Sequence, residues 1–561
     1  MCRFRCPSLP PSVSATAPSR RGAPQYAITA IGELRAGESR IVKNIGRAVM
    51  WRFRFLATGA VALVMLSACG RSSLPGENRT PDSPTSRYSA TPASLATHPL
   101  PQWWKDAKFG IFIHWGVYSV PAFAPRGASA LVGPPPDCTG YAEWYWFVQQ
   151  IPGCQAWTHH LQTYGADFVY DDFIPQWTAD RFDPDAWLQL FQEAGAKYFV
   201  LTSKHHEGFA LWPTATTRRN AVEMGPHRDL VGALFEAAHR AGDKVKPGLY
   251  YSIPEWYNPA PKPADAYAPT GTNNLVFGPP AGSLPPRNAY TQLPVPYTGY
   301  VAITDYAAGQ VRPQLKELVD LYHPDVIWCD IGGREDYFLS NESIAYYYNQ
   351  TAATNPEGVV VDDRCGDKAA THFDYNTVEY GNGSAVPPFE ATRGMGASFG
   401  YNAQETDADY LSPAELIKTL VSTVASGGNL LLDIGPKADG TIPDSMTTRL
   451  QAMGAWLRIN GTAIYGSRQW TQSNDGSGNY FTIGQDGALY IIATTWPGQT
   501  LTVNAAIPVT AATRITLLGS DNTPLAYRRS GSQLLITMPD GGDQRAATNS
   551  ENAFVFRVAP A

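Results

Sequence analysis

Short apolar runs alternate with amphipathic stretches from about residue 100 onward, and this alternation predicts the elements. The runs that read as strands are Phe109–His114, Tyr198–Thr202, Val245–Tyr250, Val326–Asp330, Val359–Asp362, Phe373–Tyr380, Ser398–Tyr401 and Asn429–Asp433. Between several of them lie patterns of helical period: the run opened by Asp183-Pro184 and closed near Gly195, then Arg228–Ala241, Val311–Tyr322, Pro413–Ser426 and Met446–Ile459. A capping Asp, Pro at the first helical position and a following Gly are the start and stop signals of a helix. Strands that are apolar throughout and alternate with helices belong to a parallel sheet covered on both faces. Eight such strands predict an α/β fold of (β/α)8-like, TIM-type barrel form, with some irregularity. After about Trp470 the period shortens to two, with Gly, Asn and Asp turns. Tyr480–Ile483, Ala488–Ala493, Leu501–Val503, Arg514–Leu518, Gln533–Met538 and Ala553–Val558 predict an antiparallel β-sandwich.

The resulting division is an N-terminal extension and signal segment at 1–69, a linker at 70–99, a barrel at 100–470 and a sandwich at 471–561. Residues 1–49 carry no apolar period, and Met50 is the expected start of the natural chain. Arg52 and Arg54 precede the apolar stretch Phe55–Leu66, and Ser67-Ala68-Cys69 follows. The apolar stretch is too short to cross a bilayer, and its basic, apolar, small-residue order is that of an export signal. Leu66-Ser67-Ala68-Cys69 resembles the lipobox of bacterial lipoproteins, so Cys69 is the expected site of lipidation. The expected location is the bacterial cell envelope, periplasm or outer membrane, with the lipid as the sole membrane contact.

Composition narrows the function. A net charge of −6 provides no basic field for nucleic acid, so none is expected as a partner. Aromatic residues make up 12% of the chain, with Trp 15 and Tyr 29, and flat aromatic faces suit sugar rings as well as cores. No Cys-x-x-Cys occurs, so no zinc ribbon or thioredoxin-type site is expected. Cys138 and Cys154 flank a loop-rich insertion and are a plausible disulfide in an exported chain; Cys329 and Cys365, at the ends of apolar runs, read as small buried residues.

Candidate chemistry gathers where strands end: His114-Trp115, Lys204-His205-His206-Glu207, Tyr250-Tyr251, Asp330, Asp363-Arg364 and Glu379. Catalytic groups of TIM-type barrels sit at the C-terminal ends of different strands. Adjacent histidines of a strand point to opposite faces, so His205 and His206 do not read as a chelating pair. His-Glu-Gly-Phe-Ala also lacks the second His of H-E-x-x-H, and no metal or other cofactor is expected.

Four long motifs in order carry a family resemblance: Trp103–Gly116, Lys204–Phe209, Gly225–Gly232 and Asp325–Asp330, followed by Gly427–Pro436 and Asp439–Pro443. They resemble the α-L-fucosidases of glycoside hydrolase family 29. The resemblance spans roughly 100–470 and implies a retaining exo-hydrolase that takes terminal α-L-fucose from fucosylated oligosaccharides or glycoconjugates. Retention calls for one carboxylate as nucleophile and one carboxylic acid as proton donor, about 5–5.5 Å apart. Asp330 is similar to the family nucleophile; the competing reading, a helix N-cap, fits poorly before Gly332-Gly333. Glu379, in Asn-Thr-Val-Glu-Tyr, resembles the acid/base and is preferred to Glu390, in Pro-Phe-Glu-Ala-Thr-Arg-Gly. The resemblance further implies that His114, Glu143, Trp144, His205, His206, Tyr250, Trp328 and Arg364 line the sugar pocket. Asp362 stands where the family pattern has Asn. Insertions at 121–142 and roughly 257–297 leave the aglycone preference open. The alternatives are a related glycosidase for another sugar such as galactose, and a non-catalytic carbohydrate-binding envelope protein.

Overall fold

The structure, a computed structural model, describes residues 87–128, 133–256, 258–267, 287–381, 385–538 and 552–559. The N-terminal extension, the signal segment with Cys69, and much of the 257–297 insertion lie outside the described residues.

Eight parallel strands follow the chain: β1 (Phe109–Ile113), β2 (Tyr198–Lys204), β3 (Lys246–Ser252), β4 (Val326–Asp330), β5 (Val360–Val361), β6 (Asn376–Glu379), β7 (Phe389–Gly394) and β8 (Asn429–Ile434). Their order in the sheet is β5-β4-β3-β2-β1-β8-β7-β6. A bridge between Asp362 and Tyr375 links the two outer strands and closes the ring. Helices α1 (Pro184–Ala194), α2 (Leu230–Arg240), α3 (Arg312–Tyr322) and α4 (Ser340–Thr351) occupy the first connections, α5 (Pro413–Ala425) joins β7 to β8, and α6 (Asp444–Asn460) follows β8. Among the described residues no helix separates β5 from β6 or β6 from β7, which is the irregularity of the barrel.

Strand period explains the two cores. In β1, Phe112 points inward to Tyr198, Val200, Tyr250, Trp328 and Leu431, whereas Phe109, Ile111 and Ile113 point outward to the helices. Gly110 is required in that inner layer, because a Cβ there would meet the Tyr198 ring at 2.5 Å. Each fully buried large apolar side chain of these layers contributes about 1.5–3 kcal/mol. The helices are started by local chemistry: Asp183 Oδ1 accepts from the amides of Asp185 and Ala186 ahead of α1, a cap worth about 1 kcal/mol.

The C-terminal region forms a five-stranded and a three-stranded antiparallel sheet. Alternation along Leu489–Ala493 splits its duties: Leu489, Ile491 and Ala493 pack between the sheets, and Tyr490 and Ile492 pack on the barrel. The indole of Trp456 in α6 donates to Ala553 O at 3.0 Å and ties the two parts. Two strands of this region, Arg468–Asn474 and Tyr527–Ser530, are mostly exposed and were not apparent from the apolar pattern.

Two expectations are corrected. Ser398–Tyr401 is a loop, and the seventh strand is Phe389–Gly394, whose apolar pattern is broken because Glu390 and Thr392 are buried polar residues. Cys329 and Cys365 are not separate thiols but a disulfide, brought together by the pairing of β4 with β5. Cys138 and Cys154 are bonded as expected.

Candidate active site

Several barrel strands deliver polar groups at or just beyond their C-terminal ends. His114 follows β1 and its Nδ1 lies 2.6 Å from Asp433 Oδ1 on β8. Burial, reinforced by the Glu143 charge, pushes the Asp433 carboxyl well above the usual carboxylate range. Burial, with the neighbouring His205 and His206, pulls His114 well below the usual imidazole range, so it is neutral.

His205 and His206 differ from expectation in one respect. β2 ends at Lys204, both residues lie in the turn that follows, and both rings enter one site with centroids 4.4 Å apart. They nevertheless hold different partners. His206 Nδ1 meets Ser252 Oγ at 2.6 Å and its Nε2 lies 3.4 Å from Asp330 Oδ2, while His205 Nδ1 lies 3.4 Å from Glu207 Oε2. Burial and the His206 charge hold His205 well below the usual imidazole range. Lys204 is spent in a fully buried pair with Glu255, 2.8 Å apart.

Asp330 closes β4. Tyr250 Oη, from β3, donates to its Oδ2 at 2.9 Å, and Arg364 Nη1 reaches its Oδ1 at 3.2 Å. Burial alone would raise this carboxyl, but His206, Arg364 and Tyr250 outweigh it and hold Asp330 well below the usual range. It is an anion at any working pH. Arg364 is steadied by its Nε, which donates to Thr377 Oγ1 at 2.8 Å, and its Nη1 is also 3.6 Å from Glu379 Oε1. One nitrogen thus touches both candidate carboxylates, which fits the close spacing that retention needs. The Glu379 side chain is 40% exposed and can reach a substrate oxygen.

Glu390 is placed differently. It is fully buried inside the barrel, accepting from Tyr198 Oη at 2.5 Å and Trp328 Nε1 at 3.0 Å. Burial pushes it up to about 7. A raised pKa is necessary for a proton donor but not sufficient, and this carboxyl is sealed beneath Trp328. The Trp328 ring is itself enclosed, stacked on Tyr250 at 5.5 Å with the Arg364 guanidinium 5.0 Å from its centroid.

Glu143 is buried, accepts from Gly400 N at 2.8 Å and Ser398 Oγ at 3.2 Å, and is pushed up to about 7 by that burial. Trp144, half-buried, stands edge-on to His206 at 5.8 Å and to Trp256 at 5.3 Å. Sequence reasoning overlooked Asp433, Ser252 and Trp256. Asp433 alone carried a signal, a polar residue closing the run Asn-Leu-Leu-Leu; the other two are recognisable only from what surrounds them.

Known proteins resemble the chain in sequence and fold. The profile of the family described as Alpha-L-fucosidase matches residues 77–462. The tissue alpha-L-fucosidase of Rattus norvegicus is 34% identical over 504 residues, covering 87% of this chain and 96% of that protein. The alpha-L-fucosidase of Dictyostelium discoideum is 37% identical over 401 residues, covering 69% and 76%. The crystal structure of Thermotoga maritima alpha-fucosidase in complex with a mechanism based inhibitor superposes with a TM-score of 0.68 at 35% identity, covering 84% of this chain and all of that one.

Proposed function

The chain belongs to the alpha-L-fucosidase family, and from that premise we propose how its own residues release terminal α-L-fucose with retention. Asp330, ionised, attacks the anomeric carbon while the glycosidic oxygen takes a proton from Glu379. The bond to the leaving group breaks as the Asp330–sugar ester forms. Glu379, now a carboxylate, then removes a proton from water, and that water displaces Asp330 from the opposite face, so two inversions return the original anomer. Arg364 supports both carboxylates and favours the ionised Asp330. Neutral His114 and His205 suit hydroxyl groups, and the exposed part of Trp144 suits the apolar methyl side of fucose. The observation that carries this reading is the single guanidinium nitrogen shared by Asp330 and Glu379.

A chromogenic α-L-fucoside assayed beside α- and β-galactosides tests it. Turnover is expected on the fucoside far above the others. Preference for a galactoside would transfer the assignment to a sister glycosidase, and no turnover on any would leave a binding protein.

We also infer that Cys69 carries a lipid and that the protein resides in the bacterial envelope. The basic, apolar, small-residue order before Cys69 supports this, and so do the two disulfides, which persist in oxidising compartments.

A further inference from the structure

One buried carboxyl beside the site has no part in the mechanism above. Glu207 follows His206 directly and is 2% exposed. Its backbone is pinned: Arg219 Nε donates to its carbonyl at 3.2 Å, and the next residue, Gly208, sits at φ +77° with Glu255 Oε2 2.6 Å from where a Cβ would stand. Neither oxygen of the Glu207 side chain has a hydrogen-bond partner. The group turned toward it is His205 Nδ1, 3.4 Å from Oε2, which is likewise buried and unpartnered. The Tyr118 ring packs edge-on to His205 at 5.5 Å, and its hydroxyl and that of Tyr170 are buried without partners too. Arg219 is committed elsewhere, its two terminal nitrogens held by Asp171 at 2.6 and 2.7 Å.

The other site histidines show what is missing here. His114 Nδ1 is fixed by Asp433 and His206 Nδ1 by Ser252. In a neutral imidazole one nitrogen donates and the other accepts, and the partner of one decides the role of the other.

We propose that Glu207 is the positioning residue that decides which ring nitrogen of His205 bears the proton, and hence whether Nε2 offers the sugar an acceptor or a donor. The identity of the sugar rests on the family reading above; the proton placement does not. With Glu207 ionised, His205 Nδ1–H donates to Oε2 and Nε2 is an acceptor. When Glu207 takes a proton from solvent, its O–H donates to Nδ1 and the ring proton sits on Nε2. His205 keeps one proton throughout, and only Glu207 changes charge.

Burial pushes Glu207 up to about 7, against smaller pulls from its own amide, Arg219 and His206, so the exchange falls near neutrality. Burial holds the phenols of Tyr118 and Tyr170 well above their ordinary range, so both stay neutral. Arg219 stays cationic beside Asp171, Glu255 is held down by Lys204, and Asp330 remains an anion. His114, held neutral by burial, and Tyr250, whose phenol burial holds well above its ordinary range, each face the His205 ring at 5.7 Å. The His206 ring lies 4.4 Å away, and any effect of these three persists when Glu207 is replaced by Gln.

The test is nitrogen NMR of the full chain carrying imidazole-labelled histidine, with the His205 signals assigned from their loss in His205→Gln. Spectra without ligand at about pH 5.5 and about pH 8.5 bracket the exchange. The wild type is expected to move the His205 proton from Nε2 to Nδ1 as pH rises, and Glu207→Gln to hold one tautomer at both. An unchanging wild-type tautomer, or the same change in Glu207→Gln, overturns the proposal. If that variant does not fold, Glu207→Asp, which withdraws the carboxyl by one methylene, is expected to shift the midpoint, and an unmoved midpoint overturns it equally. The readout needs no turnover, so inactivity on fucosides would count against the family reading alone.

Discussion

Cys329 and Cys365 are joined by a disulfide that ties the residue before Asp330 to the residue after Arg364. The covalent link therefore spans the same two segments as the 3.2 Å ion pair between Arg364 and Asp330. Such a bridge, closing a loop of 36 residues, is worth about 2–4 kcal/mol. Replacing both cysteines by Ala is expected to lower stability by that amount and to reduce kcat by loosening the Asp330–Arg364 pair. Thermal melts and kinetics of the double variant check this; unchanged kcat would show that the strand pairing alone holds the two residues in place.

Asp362 makes the stability of the fold depend on pH. It is fully buried, Oδ1 accepts from Cys329 N at 2.9 Å, and burial together with the Asp363 charge pushes it well above the usual carboxylate range. A protonated carboxylic acid has the shape and neutrality of a carboxamide. Because the folded chain keeps a proton that the unfolded chain loses above about pH 4, stability contributed here falls as pH rises through that range. Asp362→Asn removes the loss, so its melting temperature is expected to gain on the wild type between pH 4.5 and 7.5. An equal difference at both pH values would show that Asp362 is not protonated in the fold.

Anchoring is tested by fractionation. Wild-type protein expressed in a bacterial host with its own signal segment is expected in the membrane fraction, and Cys69→Ala in the soluble fraction. Equal partitioning of the two excludes lipidation at Cys69.

Strand ends were legible in the sequence where an apolar run gives way to a polar residue: Val326-Ile-Trp-Cys yields to Asp330, and Leu430-Leu-Leu yields to Asp433. β7 was not, since Glu390 and Thr392 occupy buried positions that the pattern assigns to apolar residues, and Tyr198 and Trp328 are what make Glu390 tolerable there. The faces of His205 and His206 were misjudged because alternation holds only inside a strand, and β2 stops one residue earlier. The Cys329–Cys365 bond and the His114–Asp433 pair depend on adjacency created by sheet closure, across 36 and 319 residues, which no local pattern encodes.

The central claim, Asp330 as nucleophile and Glu379 as acid/base, is tested most directly by the anomer of the azide product in rescue experiments. Asp330→Gly is expected to lose nearly all turnover and, with azide and an activated fucoside, to give the inverted β-azide. Glu379→Gly is expected to lose about 10²–10⁴-fold on poor leaving groups, to keep the first step on activated ones, and to give the retained α-azide from the intermediate held by Asp330. An α-azide from Asp330→Gly, or near-normal Glu379→Gly beside a Glu390→Gly that yields the α-azide, would contradict the assignment and move the proton transfer to Glu390.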